Sequence, residues 1–294
     1  MKQLENGNSH QDFGHGCSRI LGALSITNMA ALNNKALTGA TGQGRLDGKV
    51  ALVTGGSLGF GAAIIKKFQT EGARVVAVDI SPTLTQSVSE SYPDGSVVAV
   101  IGDVSRVETW TTALDTALKR FGKLDIVVNN AGVIYDNTPS HEVEEAEFDR
   151  LMRINVKSLF WSCKIIVPYL QARGEGGNFI NLSSTGASRP RPGVTWYSAS
   201  KGAVSIMTKS LGVEYAPNKI RFNALLPALG ETGMLPKVLG KADTAENRAP
   251  ILASIPLGRF TQGTDVANAA CFLASDEACF ITGVCMEVDG GRCI

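Results

Sequence analysis

Tyr197 and Lys201 stand four residues apart, so on a helix both side chains rise from one face. The residues after Tyr197, SASKGAVSIMTKSL, keep helical apolar spacing at Ala199, Ala203, Ile206, Met207 and Leu211. A free tyrosine loses its proton near pH ~10, too high for ready exchange at neutrality. An ammonium ~4 Å away, at an effective dielectric of ~20, favours the phenolate by ~4 kcal/mol. That corresponds to ~3 pKa units, enough to bring the phenol close to neutrality. The pair is therefore expected to work as a tuned general acid and base. YxxxK alone is common on exposed helices, so its weight comes from the residues upstream.

The first of these is the turn Gly55-Gly56-Ser57-Leu58-Gly59-Phe60-Gly61, set between an apolar run and a helical segment. Glycines at 55, 59 and 61 permit a tight turn and close approach of a pyrophosphate, which a helix N-terminus attracts. At the end of the next apolar run stands Asp79, placed to accept from adenosine ribose hydroxyls and to repel a 2′-phosphate. Ile80, Ser81 and Pro82 follow it, and Leu58 occupies the loop position where a cation could have held that phosphate. The expected cofactor is therefore NAD rather than NADP. Asp103 and Val104 close a third run, and Asn129, Asn130, Ala131 and Gly132 close a fourth. Both ends fall on the rim where a dinucleotide would lie, and the small residues let backbone come near a ligand.

Seven apolar runs carry these residues: 50–54, 74–79, 96–101, 124–129, 177–182, 220–226 and 284–288. They are continuous rather than alternating and are separated by helical segments, one over 62–71 and another ending near Phe121. That is the pattern of an α/β fold, a doubly wound parallel sheet buried on both faces, with its ligand at the carboxyl ends of the strands. Residues 1–45, rich in Asn, Gly, Ser and Ala, are expected as an extension, mobile near its start. Residues 46–294 are expected as one domain, with 230–256 as a substrate lid carrying Met234, Leu235, Val238 and Leu239.

With 28 basic against 27 acidic residues there is no global field to recruit nucleic acid or a membrane surface. No apolar run approaches the ~20 residues of a spanning helix, and the start lacks a secretory pattern. The six cysteines show no CxxC or metal spacing and sit in apolar runs, which fits a reduced, cytoplasmic setting. With three histidines, no metal site is expected.

Taken together, TGGSLGFG at 54–61, Asp103, NNAG at 129–132, Asn155, Ser184, YSASK at 197–201 and the FLASDEACFITG and VDGG endings resemble the short-chain dehydrogenase/reductase family. The resemblance runs from Leu46 to the C-terminus. It implies a Rossmann-type single domain and an NAD-dependent oxidoreductase that interconverts a small secondary alcohol and a ketone. Under it, Tyr197 exchanges the proton, Lys201 lowers its pKa and holds the nicotinamide ribose, and Ser184 rather than Ser183 polarises the substrate oxygen. Asn155 would hold a water linking Lys201 to solvent. Pro227, Gly230 and Thr232 would meet the nicotinamide, although the family's Pro-Gly is Pro227-Ala228 here; if that glycine needs a positive φ, Ala228 must sit in an altered loop, with Gly230 absorbing the bend. The resemblance also implies a homo-oligomer, a tetramer first and a dimer otherwise, built on helices over 148–172 and 198–216. Two rivals stay open, an NADPH-dependent 3-oxoacyl-thioester reductase and a catalytically idle NAD-binding module.

Overall fold

The computed structural model describes residues 44–231, 233, 235 and 242–294. The expected extension lies outside the described residues up to position 43, as do Thr232 and much of the expected lid. Seven strands form one parallel sheet in the order β3-β2-β1-β4-β5-β6-β7. They are β1 (Val50–Thr54), β2 (Arg74–Asp79), β3 (Val97–Ile101), β4 (Ile126–Asn129), β5 (Gly177–Leu182), β6 (Ile220–Pro227) and β7 (Cys285–Val288).

Side chains alternate across a strand, and that alternation divides the core into two layers. Ala51 and Val53 of β1 pack under α1 (Gly59–Thr70) and α8 (Gly263–Ala274), against Ile64, Phe68, Val266 and Ala270. Leu52, on the opposite face, packs against Trp110 of α3 (Val107–Phe121) and Ile166 and Leu170 of α5 (Lys157–Arg173). Both faces are covered, so every residue of β1 is buried and the strand reads as an unbroken apolar run. Two short helices, α2 (Leu84–Ser91) and α7 (Ala245–Leu252), complete the set with α4 (Glu145–Asn155) and α6 (Thr195–Tyr215).

The chain runs from β1 outward to β3, then crosses back to place β4 on the other side of β1. The crevice at such a reversal, outside the carboxyl ends of the strands, is where an open α/β sheet binds ligand. The sequence reading differs from the structure in two places worth a physical account. β4 begins at Ile126 rather than Leu124, because the Tyr169 hydroxyl accepts from the Leu124 N–H and Arg173 donates to its carbonyl. The single helix expected over 148–172 is two, α4 and α5, broken at Val156. Next to the break stands Asn155, whose side-chain amide bonds the Val133 backbone and Ser200.

Candidate active site

The glycine turn is held from across the sheet. Thr54 Oγ accepts from the N–H groups of Asn130 and Ala131, each at 3.0 Å. In return, Asn130 Nδ2 donates to the carbonyls of Thr54 (2.8 Å) and Gly55 (3.1 Å). The Asn130 side chain therefore shapes the turn rather than reaching outward. Gly55 takes a positive φ of 68°, and a Cβ on Gly61 would lie 1.9 Å from the Gly55 carbonyl oxygen. Leu58 begins α1 with no side-chain cap, so the first amides of that helix face the crevice uncapped. Ser57 Oγ is buried without a hydrogen-bond partner.

Asp79 lies beside this turn, its two oxygens accepting from the N–H groups of Ser57 and Ser81, each at 2.9 Å. Leu58 and Ile80 flank it with exposed apolar side chains. At the end of β3, Asp103 accepts from the Ser105 N–H at 2.8 Å, and the Val104 carbonyl accepts from Trp110 Nε1 at 2.9 Å. These contacts fix the βα turn while burying the Val104 side chain in the core.

Helix α6 is set at its first turn by Tyr135, whose hydroxyl accepts from the Trp196 N–H at 3.1 Å, and by the Trp196 ring edge-on to Phe148. Deeper, Asn129 Nδ2 donates to Asn181 and Asn181 Nδ2 to Thr208, tying β4, β5 and α6 together through buried amides. Ser183 Oγ donates to the Lys201 carbonyl at 2.8 Å and shares a 2.9 Å hydrogen bond with Ser205. That hydroxyl is committed to the helix, whereas Ser184 is only half-buried and sits beside Tyr197.

Lys201 is buried, with its ammonium donating to the Leu182 carbonyl at 2.7 Å and lying 5.9 Å from the centre of the Tyr197 ring. Asn155 Oδ1 accepts from the Val133 N–H at 2.8 Å, while Nδ2 donates to the Val133 carbonyl and to Ser200 Oγ. A Cβ on Gly132 would be 3.2 Å from both Asn155 Oδ1 and Lys201 Nζ, so only glycine keeps them this close.

The expected tuning of the phenol by Lys201 is not what the protein alone shows. Burial raises the Tyr197 pKa, and the influences that lower it are the Ser184 hydroxyl and the Arg191 charge. Burial also pulls Lys201 down, to about 8. A depression of that size corresponds to roughly 3 kcal/mol. Between pH 8 and 10.5 the unfolded chain keeps a proton that folded Lys201 has shed, so stability rises with pH through this window. Measured by denaturant melts, the native protein should therefore gain stability on Lys201→Met as pH rises from 8 to 10. A gap constant with pH would contradict the burial argument.

These elements enclose a cleft of about 460 Å³. It is lined by Gly55, Leu58, Gly59 and Phe60 of the turn and by Asn130, Ala131 and Gly132 of the β4 rim. Ser184, Tyr197, Lys201, Pro227 and Gly230 complete the predicted residues that it brings together. Ser57, Gly61, Asp79, Ile80, Asp103 and Val104 stand outside the lining, with Asn155 just behind Gly132. Thr232 lies outside the described residues.

Ala228 does not take a positive φ. Among the described residues other than glycine only Lys219 has a positive φ, and the Ala228 N–H donates to the Val288 carbonyl at 3.2 Å. Gly230 is required by packing, since a Cβ there would meet Phe60 Cζ at 2.3 Å. Sequence reasoning missed the apolar wall of Val133, Ile134 and Val194, and Arg292 as a lining residue. Arg292 had no signal in the sequence, because it joins the site through contacts with a segment about a hundred residues away.

A family model described as enoyl-(acyl carrier protein) reductase matches residues 55–292. The 4-formylbenzenesulfonate dehydrogenase of Comamonas testosteroni is 44% identical over 249 residues, which covers 84% of this chain and 98% of that protein. The 3-oxoacyl-(acyl-carrier-protein) reductase of Thermotoga maritima is 37% identical over 253 residues, 85% of this chain and 100% of the relative. Among solved structures, a 3-ketoacyl-(acyl-carrier-protein) reductase from Brucella melitensis complexed with NADH superposes with a TM-score of 0.78 at 41% identity, covering 85% of this chain and 100% of its own. With the family model spanning most of the chain and relatives matched along nearly their whole length, this chain belongs to the short-chain dehydrogenase/reductase family of oxidoreductases.

Proposed function

We propose that the chain is an NAD(H)-dependent oxidoreductase that interconverts a small secondary alcohol and its ketone. The observation that carries this reading is the convergence of Ser184, Tyr197 and Lys201 on the cleft that the glycine turn also lines. A dinucleotide fits the residues present. The Ser57 hydroxyl is buried with no partner, the start of α1 is uncapped, and Gly55 and Gly61 leave a cradle that a side chain would fill. When bound, the nicotinamide supplies the hydride acceptor in one direction and the donor in the other.

The residues of the chain do the rest. Tyr197 Oη takes the proton from the substrate hydroxyl, or returns it to the ketone oxygen, and the Ser184 hydroxyl donates to that same oxygen as charge develops. Arg191 supplies positive potential around the phenol, the Lys201 ammonium lies 5.9 Å from the ring centre, and Asn155 holds the Val133 backbone against the site. Asp79 favours NAD. Each carboxylate oxygen accepts one protein N–H and retains a lone pair for a ribose hydroxyl, while its charge repels a 2′-phosphate. Val104, Ile80 and Leu58 frame the adenosine end, and Pro227 and Gly230 the nicotinamide end.

A second reading is reduction of 3-oxoacyl thioesters with NADPH; the names of two relatives favour its substrate class, while one of the two is complexed with NADH. Reduction of NAD⁺ and NADP⁺ over a panel of secondary alcohols separates the two. Turnover preferring NAD⁺ by about 10²-fold is expected. Preference for NADP⁺ would overturn the reading of Asp79 and favour the thioester reductase, and silence with every alcohol and both cofactors would sink the alcohol–ketone reading. We also propose a homo-oligomer, a tetramer or else a dimer, on Phe160, Ile206 and Val213, which α5 and α6 leave exposed. A monomeric mass in light scattering would refute it.

A further inference from the structure

The charged side chains that line the cleft are Arg189, Arg191, Lys201 and Arg292, and among the described residues no aspartate or glutamate joins them. Arg189 and Arg191 lie in the loop between Ser184 and α6, and Arg292 in the segment after β7. The two segments are bound to each other, the Arg189 guanidinium donating to the Arg292 carbonyl and Arg292 Nη1 returning to the Arg189 carbonyl at 3.4 Å. Arg189 is largely exposed, whereas Arg191 and Arg292 are half-buried at the cleft wall. Arg191 stands near enough to Tyr197 for the two charges to influence one another, and Arg292 near enough to Arg191 to disfavour its charge.

Arg191 and Arg292 bring two guanidinium groups to a partly desolvated wall, where like charges repel. A guanidinium pair beside a reacting hydroxyl is, in contrast, well suited to a carboxylate or a sulfonate, which accepts two parallel N–H bonds from an arginine. The same cleft is lined by the apolar Val133, Ile134 and Val194, which suit an apolar body on the substrate. We propose that the substrate carries an anionic group, a carboxylate or sulfonate, held by Arg191 and Arg292, with its alcohol or carbonyl carbon at Ser184 and Tyr197 and an apolar spacer between. The proposal rests on the oxidoreductase reading and adds the charge of the substrate to it.

Matched alcohols test it: 1-phenylethanol against its 4-carboxylate and 4-sulfonate derivatives, with NAD⁺ and NADP⁺. Expected is a kcat/KM at least ~10-fold higher for the anions, carried by KM and shrinking as salt is added. Arg191→Gln and Arg292→Gln should each lower the anion-to-neutral ratio by about 10-fold or more, and Arg292→Lys, which keeps the charge and loses the fork, should retain only part of it. A wild-type ratio of one or less, or a ratio that neither glutamine variant moves, overturns the proposal. The salt dependence in the wild type needs no variant to fold. If no alcohol is oxidised, the oxidoreductase reading fails separately, and calorimetric titration with 4-acetylbenzoate and 4-acetylbenzenesulfonate against acetophenone decides the anion site. Binding of the two anions alone, weakened in Arg191→Gln, supports the site, and equal or absent binding of all three removes it.

Discussion

Tyr197→Phe should lower kcat by about 10²–10⁴ while leaving nicotinamide-cofactor affinity within about two-fold. The substitution deletes one oxygen and keeps the ring. The position of α6 is fixed by Trp196, through the Tyr135 hydroxyl and the edge-on contact with Phe148, so the helix has no cause to move. What disappears is the proton exchanger. Burial holds the phenol protonated in the protein alone, against the opposing pull of Ser184 and Arg191. Under the proposed function, ketone reduction draws on that phenol and alcohol oxidation on the phenolate. Oxidation by the native protein should therefore quicken as pH rises and reduction should slow, and the variant should lose both limbs. Steady-state rates across pH, with cofactor titration by fluorescence, check all of this. A variant that keeps a tenth of the native rate would remove Tyr197 from the proton-transfer role.

Gly61→Ala should act on the other half of the site. The new Cβ would fall 1.9 Å from the Gly55 carbonyl oxygen and 2.6 Å from Asn130 Nδ2, both parts of the knot that shapes the turn. Backbone cannot swing aside as a flexible side chain does, so the turn or the start of α1 must shift. Overpacking of this kind costs about 1–3 kcal/mol. The expected result is a lower melting temperature with cofactor affinity reduced more than ten-fold, since the uncapped amides and Ser57 move with the turn. Thermal melts with and without NAD⁺ read both effects. Native cofactor affinity in this variant would mean that the turn does not hold the dinucleotide.

The sheet was legible because its strands are buried on both faces and therefore read as unbroken runs such as VALVT and RVVAVD. The glycine turn and YSASK were legible for a related reason: each is a local arrangement whose spacing shows within a single helix or turn. What the sequence hid was every contact between distant segments. Asn155, at the end of α4, accepts from Val133, 22 residues back. The Lys201 ammonium donates to the Leu182 carbonyl, 19 residues back, a partner that the Tyr197–Lys201 spacing does not reveal. Arg292 enters the cleft through a tie across 103 residues. Ala228 takes no positive φ, a backbone detail that the residue type alone does not settle.

The knot between Thr54 and Asn130 also has a consequence for the order of folding. It joins residues 76 apart, so β2, α2, β3 and α3 must all leave and return before it can close. The entropy of closing such a loop grows only as the logarithm of its length, so the tie is affordable, but as a non-local contact it belongs to the slow part of folding. Before it forms, the glycine turn has no partner for its carbonyls and no fixed shape. Cofactor affinity followed during refolding would therefore lag behind the helical signal, marking the moment when the two halves of the sheet meet.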